Sequence, residues 1–165
     1  MGICGNFGDD LGSRTVASRL VREIMKLCFL IDKSYAPYSK WFSTAFSRLK
    51  CSSELSPLLT KVFDSPDWKT REKYLSEVYK VVATMHNNLG VTAAQDTIVT
   101  SYHGRPYLVL HSDRFVDALR AAIQDPKVKQ IESNIGSISQ FVDSTDVLYD
   151  PRLCRKFVPP FKQES

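Results

Sequence analysis

Four times in 165 residues a proline directly follows a serine or an aspartate: Ser56-Pro57, Ser65-Pro66, Asp125-Pro126 and Asp150-Pro151. A capping oxygen before a proline suits a helix start, because the N–H that proline lacks falls on a donor the first turn leaves unpaired anyway. Four such starts in so short a chain predict a mainly α fold with short connections. The apolar spacing agrees. Val16, Leu20, Ile24, Leu27 and Ile31 recur at threes and fours and predict a first helix over 13–32. After Pro37, Trp41, Phe42, Ala45, Phe46 and Leu49 give a second helix its stripe, with Phe42, Phe46 and Leu49 in the core. A short third helix is expected after Ser56. A long fourth runs over 65–89 with Trp68, Leu75, Val78, Val82, Met85 and Leu89 in register, and Gly90 stops it. β-branched and aromatic residues on both sides of His103-Gly104 predict a hairpin, and Phe115, Leu119 and Ile123 mark a helix starting near Ser112. The fold class is therefore mainly α, a bundle of about five to six helices with one small β-hairpin near residues 97–110. Its organisation reads as a glycine-rich lead-in loop over 1–12, a single helical domain over 13–150, and a C-terminal tail over 151–165.

Composition narrows the functional classes. Hydrophobic residues are 43% and charged residues 24%, which is ordinary for a globular chain. No apolar run approaches the ~18 residues of a membrane span, so no membrane role is expected. The net charge of +4 is too mild, and its cations too scattered, for a specific nucleic-acid binder. Cys4, Cys28, Cys51 and Cys154 form no CxxC, and no histidine stands at ligand spacing, so neither a metal nor another cofactor is expected. Cys28, inside an apolar helical stretch, reads as a small buried hydrophobe, and the chain as a reducing, cytoplasmic one. Gly2 and Cys4 stand where an acylation motif would place them, but Asn6 occupies the position that motif gives to serine or threonine.

The search for chemistry returns little. Gly136-Ser137 with Asp143 and Asp146 has the residue types of a nucleotidyltransferase signature, whose carboxylates hold Mg²⁺. The carboxylates here are spaced Asp-x-x-Asp, which a strand cannot present on one face, so a capped turn is the better reading. There is no P-loop, no GxGxxG and no GxSxG. His86, near the end of the fourth helix, is the weak candidate for acid–base work together with Tyr38; a helix C-terminus also simply favours a cation there. Arg19, Arg22 and Lys26 form a cationic stripe that suits a nucleotide or a small anion, or a solvated face. Tyr35, Tyr38, Lys40 and Trp41 follow the Ala36-Pro37 corner, and their polar tips want partners when buried. With Arg19, Arg22 and Asn87 they make the predicted ligand or partner face.

In "GDDLGSRTVASRLVREIMKLCFLIDKSYAPYSKWFSTAFSRL" the chain resembles the uncharacterised helical domain (DUF4037) that follows a nucleotidyltransferase-like domain in bacterial and fungal proteins. The resemblance continues through "MHNNLG", "RPYLVL", "RFVDALRAAIQDP" and "GSISQFVDSTDVL". It implies an accessory domain closing on a nucleotidyltransferase-type partner, with Arg19, Arg22, Tyr35, Tyr38, Lys40, Trp41, His86 and Asn87 on the facing wall. The Gly-Ser and Asp-x-Asp of the catalytic half are missing, so the domain is expected to bind rather than to catalyse. The alternatives are a small helical enzyme using Tyr38 and His86 on an anionic or aromatic substrate, and a folded remnant without activity.

Overall fold

A computed structural model of the chain describes residues 1–131 and 149–155. The described residues form eight helices and one two-stranded sheet. In chain order the helices are α1 (Gly2–Asn6), α2 (Asp10–Ile31), α3 (Ser39–Phe46), α4 (Ser52–Asp64), α5 (Trp68–Asn88), α6 (Asp113–Ala122), α7 (Pro126–Lys129) and α8 (Pro151–Cys154). Strands β1 (Thr100–Ser101) and β2 (Leu108–Val109) lie between α5 and α6 and pair antiparallel, Thr100 opposite Val109 and Ser101 opposite Leu108. The mainly α reading with one small hairpin holds. The chain divides into two compact units, Met1–Ala122 and Ile123–Ser165. The second unit's two described helices are single turns, each capped by the aspartate before its proline: Asp125 accepts from the amides of Lys127 and Val128, and Asp150 from that of Arg152. The Gly136–Asp146 stretch lies outside the described residues.

In the first unit, α4 and α5 form a helical hairpin, α2 packs against both, and α1 docks on α2 and α5. Val21, Ile24, Cys28 and Phe29 of α2 meet Phe46 and Leu49, Leu55, Leu59 and Val62 of α4, and Leu75, Val78 and Val82 of α5 in one core. Phe42 and Phe46 bring their rings to 5.4 and 6.4 Å from that of Phe29. The predicted core role of Phe42, Phe46 and Leu49 is thus met, Phe42 packing at the edge. Cys28 is fully buried, and burial pushes its thiol up to about 12.

The buried stripe of α2 is displaced from the predicted one, sharing Ile24, with Leu20 and Ile31 packed at the edge of the core. Ser13, Ala17, Val21, Ile24 and Cys28 face inward, whereas Leu27 is exposed. Arg71 of α5, 1% exposed, donates to Ser13 Oγ at 2.7 Å and to Asp10 Oδ1 at 3.0 Å. Asp10 also accepts from Arg14 at 2.7 Å; that contact and then the one to Arg71 hold its carboxyl below the usual range. A buried guanidinium is tolerable only with such partners.

Two of the four predicted proline starts are also corrected. Pro57 lies inside α4, which begins at Ser52; Pro57 and Ser53, whose carbonyl the ring leaves unpaired, are both exposed, so water can take that bond. Ser65 closes α4 instead of opening α5, its hydroxyl donating to the Lys61 carbonyl at 2.7 Å. Asp67 is the cap of α5, accepting from Thr70 N at 2.9 Å. The expected loop over 1–12 contains α1 and the start of α2, for which Asp9 is the cap. Gly5 makes the docking of α1 feasible: a Cβ there would run into the Trp68 side chain.

Candidate functional site

The hairpin folds over one side of α2 and α5, tied to α5 by one hydrogen bond and braced from α6 by Arg114. Its turn runs Tyr102-His103-Gly104-Arg105, closed by Arg105 N to Tyr102 O at 2.9 Å; the two central residues have φ of 47° and 73°, as a mirror-image hairpin turn requires. Leu108 N donates to Glu72 Oε1 of α5 at 2.9 Å. Arg114 of α6 donates to the carbonyls of Leu110 at 2.7 Å and Ile98 at 3.2 Å, and meets Asp96 at 3.5 Å. His111 then turns the chain into α6 with φ of 54°, Nε2 lying 2.9 Å from Thr100 Oγ1. That left-handed backbone costs a residue with a side chain roughly 1–2 kcal/mol.

Between the hairpin and the helices is a cavity of about 500 Å³, within the roughly 300–1,000 Å³ of small-molecule sites. Helix α2 contributes Leu20, Glu23, Ile24 and Leu27, and α5 contributes Tyr79 and Val82. The hairpin and the start of α6 supply Tyr102 and the run Leu108–Asp113. The wall is mostly aliphatic, with Glu23, Tyr79, Tyr102, His111 and Asp113 as its ionisable groups. Burial, and secondarily the nearby Glu72 charge, push the Tyr79 hydroxyl up to about 12, so it stays protonated at neutral pH. Glu23 Oε1 accepts from Lys26 Nζ at 2.9 Å and from Arg22 at 3.2 Å. A smaller cavity of about 190 Å³ shares Leu20, Tyr79, Leu108 and Val109 and is lined also by Glu72. Glu72 is buried, and its desolvation raises its carboxyl above the usual glutamate range despite the Leu108 amide.

The sequence-derived candidates do not converge on this cavity. Tyr35, Tyr38 and Trp41 are 87, 65 and 50% exposed on the α2–α3 connection and the first turn of α3, Lys40 Nζ standing 5.5 Å from the Trp41 ring centre. They form an outward aromatic and cationic face. Arg22 sits on α2 beside Glu23, and Arg19 lies one turn earlier; neither lines the cavity. Asn87 is committed to structure: its amide donates to Gln95 O at 2.8 Å and its carbonyl accepts from Gln95 N at 2.9 Å, pinning the loop after α5. His86 packs edge-on against Phe115 with ring centres 5.1 Å apart. Both its ring nitrogens are buried without a hydrogen bond among the described residues. Neither His86 nor Tyr38 lines the cavity, so it does not unite the two as an acid–base pair.

The sequence reading misses Glu23, Tyr79, Tyr102, His111 and Asp113 as cavity-lining residues and places Leu27 in the core, whereas Leu20 both packs against the core and lines the cavity. One signal was present. Helix α2 carries leucines at 11, 20, 27 and 30 in addition to its core stripe, more apolar surface than one packed face requires.

Fold and site together define a mainly helical domain with an apolar, tyrosine-containing cavity under a clamped hairpin. Residues 1–42 match the family described as "Domain of unknown function (DUF4037)", a span covering α1, α2, the turn after it and the first half of α3. No curated protein and no solved structure matches the chain. No helix among the described residues is long and apolar enough to cross a membrane.

Proposed function

We propose that this is a binding domain, an accessory module that holds a small ligand in the cavity beneath the β1–β2 hairpin and performs no chemistry of its own. The observation that carries this reading is the wall itself. It is a concave, largely aliphatic surface of small-molecule size with a few convergent polar groups, assembled by residues from four separate elements. The clamps from Glu72 and Arg114 support it, because a binding wall must be held in place before the ligand arrives.

The test uses a neutral, environment-sensitive dye, Nile red, and one variant. Leu27 lines the cavity yet is 43% exposed, so Leu27→Trp fills the space without touching the core. The expected result is saturable, blue-shifted emission with the native chain and its loss in Leu27→Trp at unchanged helix content. Equal emission from both proteins, or none from the native chain, would refute cavity binding.

The exposed Tyr35, Tyr38 and Trp41 favour a second role beside the first, docking on a nucleotidyltransferase-type catalytic domain, which agrees with a reducing, cytoplasmic setting. Large aromatics with polar tips are what protein interfaces concentrate. Burial of this face would shift Trp41 emission to the blue when such a domain is added.

A further inference from the structure

We infer that the cavity's ligand is an apolar amine, a ring or short chain carrying one protonated nitrogen. The inference rests on the binding reading above and adds the ligand's chemistry. Among the described residues the lining holds two acidic side chains, Glu23 and Asp113, and neither lysine nor arginine. The other ionisable wall groups are His111, already engaged by the Thr100 hydroxyl, and two tyrosines.

An anion placed here would leave water to face two carboxylates across aliphatic walls, where charges interact more strongly than in bulk solvent. A cation meets the opposite situation. Among the described residues Arg22 and Lys26 pair with Glu23; both hold it at Oε1 and neither lines the cavity. No hydrogen bond reaches Glu23 Oε2 among the described residues.

The aromatic groups point the same way. A cation is attracted to a tyrosine face within about 6 Å of the ring centre. Tyr102 already takes the Arg105 guanidinium carbon at 5.7 Å. Tyr79, on the helical wall, makes no hydrogen bond through its hydroxyl among the described residues and offers both its ring and an oxygen acceptor. Leu20, Ile24, Leu27 and Val82 would cover the apolar body. The nucleotide or small anion suggested by the stripe on α2 has no counterpart in this wall.

The experiment compares three compounds of one skeleton, phenylbutylamine, phenylbutanol and phenylbutanoate, as competitors of Nile red on the native chain. Charge is the main variable. The amine is expected to displace the dye at roughly tenfold lower concentration than the alcohol, and the acid to be weakest. Glu23→Gln should bring amine and alcohol together while dye binding persists. Asp113→Asn, on an exposed first turn, should narrow the gap in the same direction and serves if Glu23→Gln folds poorly. Equal displacement by all three, or the acid strongest, would overturn the amine assignment and leave the cavity reading intact. Failure of the dye itself to bind the native chain would remove both.

Discussion

Lys33 shows how a single residue sets the direction of the aromatic face. It follows the C-cap of α2 with φ of 55°, its N–H bonding Leu30 O at 3.1 Å while Ser34 N reaches Phe29 O at 2.9 Å. That pair of bonds is the Schellman closure, which ordinarily places glycine where Lys33 stands. Gly90 fills the same place after α5, with φ of 64°. A left-handed lysine costs roughly 1–2 kcal/mol, and glycine forfeits roughly 0.5–1 kcal/mol of that through the freedom of its unfolded chain. Lys33→Gly is therefore expected to stabilise the domain by about 0.5–1 kcal/mol, read as a higher urea midpoint at unchanged slope. A lower midpoint would mean that the lysine side chain makes a contact that outweighs its strain. Proteins keep strained residues where the fold over-determines them, often beside functional surfaces. Lys33 precedes the aromatic face and His111 lines the cavity.

Among elements, the hairpin depends on a carboxylate that is itself in an unfavourable place. Glu72 accepts the Leu108 amide, and its burial raises its pKa above the value it would have in the unfolded chain. The sign follows from linkage. The folded state prefers the protonated acid, so this group's contribution is fully present below the unfolded glutamate range and is lost as pH rises through the raised folded value. Glu72→Gln keeps a carbonyl oxygen for the Leu108 amide and removes the ionisation. Relative to the native chain it should gain stability near pH 7, and the gain should shrink toward zero near pH 4, where both side chains are neutral. Paired urea titrations at the two pH values measure this; a difference that grows as pH falls would contradict it. The existence of the hairpin was legible in the sequence because β-branched residues flank a His-Gly turn, whereas Glu72 was not. Its role depends on a strand from far along the chain, and local periodicity carries no such information. The same limit explains α2. Ser13 looks like a poor core residue until Arg71 supplies its partner, so the stripe runs through the larger aliphatics and is displaced, whereas the burial of Cys28 is legible from its apolar stretch. Capping was legible only where competition was absent: Asp125 and Asp150 cap as expected, whereas at Ser65-Pro66 the nearby Asp67 caps α5.

At the scale of the whole molecule, the first unit presents two apolar surfaces of different kinds, the sheltered cavity and the exposed aromatic face, beside one continuous core. A chain of this length buries only part of its apolar surface, and single exposed hydrophobes need no explanation. Three large aromatics within seven residues, each at least half exposed, are more than scatter. Their energetics should differ sharply from those of their neighbours on the same short helix. Phe46, 3% exposed and packed on Phe29, should cost about 3–5 kcal/mol when truncated to alanine. Tyr38→Ser and Trp41→Ser together remove rings that cover little of the core and should cost under about 1 kcal/mol, near the surface norm for two sites. The pair should also reduce concentration-dependent self-association in sedimentation velocity, because the removed surface is what water wets least well. Urea midpoints of the three proteins, read with sedimentation at rising concentration, decide the matter. A double variant that lost stability on the scale of Phe46→Ala would make the aromatic segment part of the core, and the docking role would have no surface left to act through.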